Sequence, residues 1–143
     1  MELSKQAHCV YYTRYHLVFV TKYRRKLLKH GMGAYCQIVL KAIGRIYPDI
    51  VIHEMNTDED HIHLLVTIPP KYSVSKVVNL LKSNSAHALR RKYPFINKMF
   101  VKEGLGFWSN GYFVSTVGIN EDVIRKYIEH QGEEDRGQAK LVW

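Results

Sequence analysis

What the chain lacks narrows the possibilities first. It contains only 2 cysteines in 143 residues. Cys9 and Cys36 have no CxxC spacing, which argues for reduced packing residues and against a disulfide framework or a cysteine zinc site. No apolar run approaches the roughly 20 residues that span a bilayer, and the patch at 17–20 is far too short. Residues 1–7 are polar where a signal peptide turns apolar, so the expected location is the cytoplasm. No Gly-, Ser- or Pro-rich linker and no repeat divides the sequence, and its length suits one domain, 1–143. No GxxxxGK[ST] loop is present, so nothing points to ATP-driven chemistry. Acidic residues are scarce. With 13 Asp+Glu against 21 Lys+Arg the net charge is +8 and the pI about 9.5. That balance suits a polyanion such as nucleic acid, although a merely basic protein shares it. The 10 tyrosines add capacity to stack unpaired bases, and many of them suit a core equally well.

The stretch Asp60-His61-Ile62-His63-Leu64-Leu65-Val66-Thr67-Ile68-Pro69 alternates as a strand does. Ile62, Leu64, Val66 and Ile68 share one face, and His61 and His63 share the other. Their Cα atoms should lie roughly 7 Å apart, twice the strand rise, which lets both rings meet one divalent ion. For the pair alone, a half-exposed strand end with two chance histidines among 8 is the plainer reading.

Around that strand the pattern predicts a regular order of elements. Residues 11–20 read as a strand with Tyr15, Leu17 and Phe19 on one face and Arg14, His16, Val18 and Val20 on the other. The run Lys22-Tyr23-Arg24-Arg25-Lys26 follows, either a phosphate-contacting lip or a solvated charge run. Residues 33–47 repeat apolar side chains at helical spacing until Pro48 stops them. A strand at 50–56 and the polar turn Asn56-Thr57-Asp58-Glu59-Asp60 make a hairpin with the histidine strand. Ser73 caps a second helix running to Pro94, with Lys82, Arg90, Arg91 and Lys92 along its flank. Residues 95–110 read as a long loop, and 111–117 as a fourth strand. Gly118 can act as a hinge before a third helix capped by Asn120. Beyond Gly132 a charged tail, 132–143, is expected to be loose, with residues 141–143 docking back. The resulting order is β-α-β-β-α-β, an α+β ferredoxin-like fold: a four-stranded antiparallel sheet, two helices on one face, and an extra C-terminal helix on the other.

On the third helix Val123, Tyr127 and Gln131 form one i, i+4 row beside Ile124 and Ile128. The isoleucine row can anchor the helix while Tyr127 and Gln131 face the histidines. Taken alone, Tyr127 suits a core position and Gln131 a surface one.

His61-Ile62-His63 in its context at 60–66 now joins three other motifs. They are Lys22-Tyr23-Arg24-Arg25, Gly111-Tyr112-Phe113-Val114-Ser115-Thr116-Val117-Gly118, and Tyr127-x-x-x-Gln131. In this order and spacing the chain, from about residue 11 to 131, resembles the small single-tyrosine HUH transposases of bacterial and archaeal insertion sequences. These are the TnpA-like members of the REP-associated tyrosine transposase superfamily. The resemblance implies a homodimeric single-strand DNA endonuclease and strand transferase, acting at hairpin-containing element ends through a 5′-phosphotyrosine intermediate. It also implies Tyr127 as nucleophile, His61, His63 and Gln131 as ligands of Mg²⁺ or Mn²⁺, a tyrosine helix swapped between subunits, and association with the nucleoid when DNA is bound. The chemistry is coherent. Two neutral imidazoles and a carboxamide leave the ion its full charge, and a phenol is a good enough leaving group for its phosphodiester to be attacked by a 3′-hydroxyl. Arg14, Lys22, Arg24, Arg25, Lys82, Arg90 and Arg91 are the candidate DNA contacts. Three other readings remain: an RRM-like single-strand binder of the same element order, a zinc hydrolase using His53 or His130 with the pair, and a domesticated relative that processes palindromes.

Overall fold

The computed structural model describes residues 3–6, 8–101, 106–116 and 121–137. The first two strands, β1 (Ser4–Gln6) and β2 (Cys9–Tyr11), form a small antiparallel sheet of their own, with Ser4 opposite Tyr11. The strand expected at 11–20 therefore divides near residues 12 and 13. Thr13 leaves the ladder to bond Ile68, donating from Oγ1 to the Ile68 carbonyl at 2.5 Å and accepting its N–H at 3.0 Å. Alternation resumes in β3 (Arg14–Val20), the centre of the main sheet.

β3 pairs with β5 (His61–Thr67) on one side and β6 (Phe113–Ser115) on the other, and β4 (Val51–Thr57) pairs with β5. All pairings are antiparallel and the order is β4-β5-β3-β6. The register shift between Ile52 and Glu54 places a bulge at His53. Two helices, α1 (Met32–Ile46) and α2 (Val74–Lys92), cover one face. Leu17, Phe19, Ile62 and Leu64 meet Cys36, Leu40, Val77 and Leu81 there in one buried cluster. Ser73 caps α2 as its position suggests, accepting the Lys76 N–H at 3.1 Å, a contact that contributes about 1 kcal/mol. On the opposite face Val18 and Val20 pack under Tyr127 and Ile128 of α4 (Glu121–Asp135). With both faces covered, residues Leu17, Val18, Phe19 and Val20 are all fully buried. This is the ferredoxin-like α+β arrangement with a C-terminal helix added.

Three expectations need correction. Residues 95–101 form a helix, α3 (Phe95–Val101), in place of the start of a long loop. Pro94 precedes its first residue and the wholly buried Ile96 docks it. Phe107 and Trp108 are core residues, with Trp108 Nε1 donating to Ser85 Oγ at 3.0 Å. Cys36 is buried, its thiol pKa pushed up to about 12 by burial, but Cys9 is exposed rather than part of the core. Finally, α4 continues through Gly132 to Asp135, so the tail begins later than expected. The Gly118 hinge, the Asn120 cap and residues 138–143 lie outside the described residues. No described helix is long and apolar enough to cross a membrane.

Candidate active site

The first residue of β5 is His61, opposite Val20, and His63 lies between Val18 and Asn56. Strand alternation sends both rings to the face away from α1 and α2. His61 Nδ1 donates to Asp60 Oδ1 at 2.8 Å, which fixes the tautomer and leaves Nε2 as an acceptor. The second Asp60 oxygen, Oδ2, accepts from Arg24 Nε at 3.3 Å. The bond from His61, with the charges of His61 and Arg24, holds the Asp60 carboxyl below its ordinary range against the opposing effect of burial. His63 Nε2 lies 3.1 Å from His16 Nδ1, a residue without an assigned role in the sequence reading. Burial, then the neighbouring His16 and His61, lower the pKa of His63 and favour the neutral ring.

Both histidines open on a cleft of about 620 Å³ that Arg24, Lys26, Asn56, Ile124 and Ile128 also line. The pair suits a divalent ion: one ring is oriented by a carboxylate, the other is kept neutral, and both face one cavity. His63 Nε2 would hold such an ion only in place of its contact with His16. Among the described residues no group of three His, Cys, Asp or Glu side chains comes together to hold a metal. The zinc-hydrolase histidines are not at this cleft. His53 bonds Thr67 Oγ1 at 2.6 Å toward the far end of the sheet, and His130 lines a different cleft.

Tyr127 and Gln131 line that second cleft, of about 750 Å³, with Asn110, Tyr112 and Phe113. The expectation that they face the histidines of their own chain is not met; Ile124 and Ile128 border the histidine cleft instead. The Tyr127 ring finds its apolar cover on Val18, Val20 and Phe113, with centroids 6.0 Å apart in the last pair, and this turns its row toward β6. The Tyr127 hydroxyl donates to Gln131 Oε1 at 3.5 Å, and Gln131 Nε2 to Asp135 Oδ1 at 3.4 Å. Burial raises the phenol pKa and the Asp135 carboxylate raises it further.

Asp135 is the residue that sequence reasoning missed. Its place in the charged C-terminal stretch suggests a loose tail, yet its side chain is 2% exposed. It accepts the Tyr23 backbone N–H at 2.8 Å and the Ser109 hydroxyl, and pairs with Lys22 Nζ at 3.3 Å. The i, i+4 row of Tyr127 and Gln131 simply extends one more step to reach it.

The candidate DNA contacts are unequal. Lys22 and Arg24 have the carboxylate partners Asp135 and Asp60, and Lys82 Nζ donates to the Ser109 and Gly111 carbonyls at 2.9 and 2.5 Å. These three hold the protein together as well as carrying charge. Arg25 stacks on Tyr23 at 5.6 Å and Arg14 on Tyr12 at 4.9 Å. Arg91 is exposed; Arg90 is half-buried, its Nε without a hydrogen-bond partner.

Residues 9–131 match the family described as transposase IS200 like. The transposase for insertion sequence element IS200 of Salmonella typhimurium is 37% identical over 135 residues, which cover 94% of this chain and 87% of that protein. The ISDra2 transposase TnpA of Deinococcus radiodurans is 29% identical over 136 residues, covering 94% and 95%. A solved structure of a Deinococcus radiodurans R1 protein assigned as a transposase superposes with a TM-score of 0.79 at 27% identity, over 90% of this chain and 97% of that one. A REP-associated tyrosine transposase bound to a REP hairpin superposes with a TM-score of 0.53 at 15% identity, over 94% and 76%, a likeness of fold alone. With the match spanning the sheet, both histidines and the tyrosine helix, the chain belongs to the IS200-like transposase family.

Proposed function

We propose that this transposase is a metal-dependent single-strand DNA endonuclease and strand transferase that uses Tyr127 as nucleophile. The observation that carries the reading is the His61 and His63 pair, side by side on the sheet face away from α1 and α2, with His61 oriented by Asp60. Mg²⁺ or Mn²⁺ bound by His61, His63 and Gln131 would polarise the scissile phosphate. Tyr127 oxygen attacks the phosphorus and forms a phosphotyrosine at the 5′ end; the 3′-oxygen leaves and is protonated to a hydroxyl. A second 3′-hydroxyl then attacks the phosphotyrosine and the phenolate departs, so bond energy is conserved and no nucleotide triphosphate is consumed.

In the docked position Tyr127 is a poor nucleophile, because burial and Asp135 keep its proton on. Gln131 is turned from the histidines with it. The reading therefore includes a homodimer in which the tyrosine helix of one subunit completes the histidine site of the other, an exchange of one element between identical chains. The substrate is single-stranded DNA carrying a hairpin, in keeping with family membership and the +8 charge.

Incubation of the protein with single-stranded oligonucleotides carrying element ends, with Mn²⁺ or with chelator, tests the reaction. A metal-dependent covalent protein–DNA species that vanishes in Tyr127→Phe, while hairpin binding persists, is expected. A covalent species undiminished in Tyr127→Phe places the nucleophile elsewhere.

A further inference from the structure

A third cleft, of about 730 Å³, lies between the basic segment after β3 and the junction of α2 with α3. Its floor is apolar and aromatic. Leu27 and Met32 are buried, Tyr93 is half-buried, and Phe95 stands 50% exposed at the mouth. Tyr93 and Phe95 meet at a centroid distance of 6.4 Å and an interplanar angle of 68°. The rim is basic, made by Arg25, Lys26 and Lys29 with the His30 imidazole; no carboxylate among the described residues lines it, the nearest partner being Glu59 of the neighbouring cleft, 3.8 Å from Lys26 Nζ. Lys26 also lines the histidine cleft, so the two cavities adjoin across one cation.

We propose that this cleft is a subsite for one unpaired nucleotide of the cleaved strand, beside the scissile phosphate, a proposal that rests on the assignment of His61 and His63 to cleavage. The volume suits a nucleotide. An aromatic floor beneath cations recognises a flat base and its phosphate, and stacking of this kind tolerates any base sequence. A base held in a duplex cannot enter without leaving its stack, so the cleft selects single strands. The strand crosses Lys26 on its way from the histidines to Tyr93 and Phe95.

Binding of hairpin oligonucleotides in which each position flanking the cleavage site is made abasic in turn, measured for the wild type and for Phe95→Ala, tests this. Phe95 is half exposed, so its replacement spares the core; Tyr93→Leu, which keeps apolar bulk, is the second variant. For the wild type, one abasic position should weaken binding roughly 5- to 100-fold. Both variants should bind the intact strand more weakly by a similar factor and lose sensitivity to that position, while binding of the isolated hairpin is unchanged. Variants that keep the full abasic penalty overturn the proposal. So does a Phe95→Ala protein whose subunit stoichiometry changes while abasic sensitivity stays intact, since the cleft is then a protein interface. If the wild type forms no covalent product yet the abasic effect appears and is lost in the variants, cleavage is misassigned and the nucleotide site stands.

Discussion

Gly132 of α4 lies against the side chain of Arg24. A Cβ there would fall within 2.9 Å of Arg24 Cγ and nearer still to Cδ. Arg24 cannot retreat without loosening its 3.3 Å bond to Asp60. In a helix interior alanine is ordinarily about 1 kcal/mol better than glycine, whereas overpacking costs about 1 to 3 kcal/mol. Gly132→Ala should therefore lower the melting temperature of the wild type. In an Arg24→Ala background, where the clash is gone, the same substitution should raise it. Thermal denaturation of the four proteins reads the change of sign; the same sign in both backgrounds contradicts the close contact.

The bond from His61 to Asp60 orients the ring rather than merely decorating it. Asp60→Asn should weaken Mn²⁺ binding about 10- to 100-fold, the range typical of losing a group that orients a metal-binding histidine. Titration of Mn²⁺ by electron paramagnetic resonance measures this without DNA. Unchanged affinity removes the carboxylate from the metal site.

Lys82 gives a pH signature. Burial, aided by the charge of Lys22 and opposed by Asp135, lowers its pKa to about 8 from the ordinary 10.5. Between those values the unfolded chain still holds a proton that the folded chain has released, so this group's contribution to stability rises with pH across the window. Below about 8 both states are charged and the cost of burial is constant. The difference in stability between the wild type and Lys82→Met should therefore move in favour of the wild type from pH 8 to 10.5. A flat difference in denaturant unfolding means that the ammonium is not desolvated.

Affinity for single-stranded DNA should fall steeply with salt, with a log–log slope of several units if several phosphates are neutralised. Arg25→Ala and Arg91→Ala should reduce the slope. Lys22→Ala should act mainly by freeing Asp135 and loosening α4, seen as lower stability. A salt-independent affinity contradicts backbone-dominated binding.

The sheet, its helices and the face on which His61 and His63 sit were legible because strand alternation and helical spacing are local properties of sequence. The helix at 95–101 was not, since its cause is Ile96 docking in the core, a contact between distant segments. The turn of α4 was not legible for a related reason. Either row could have met the histidines, and the choice fell to the fit of the Tyr127 ring on Val18, Val20 and Phe113. The ion pairs of Lys22 and Arg24 were not legible, in a run that reads as a phosphate lip or a solvated stretch, because their partners, Asp135 and Asp60, lie 113 and 36 residues away.

The composite site is tested most directly by mixing two inactive proteins, a Tyr127→Phe chain and a His61→Ala, His63→Ala chain, and assaying cleavage of a hairpin-bearing single strand. A heterodimer with exchanged helices has one site with both defects and one with intact histidines and an intact Tyr127, so cleavage should return in the mixture. Sites built within single chains all keep a defect. A mixture that forms heterodimers and stays inactive contradicts the exchanged arrangement.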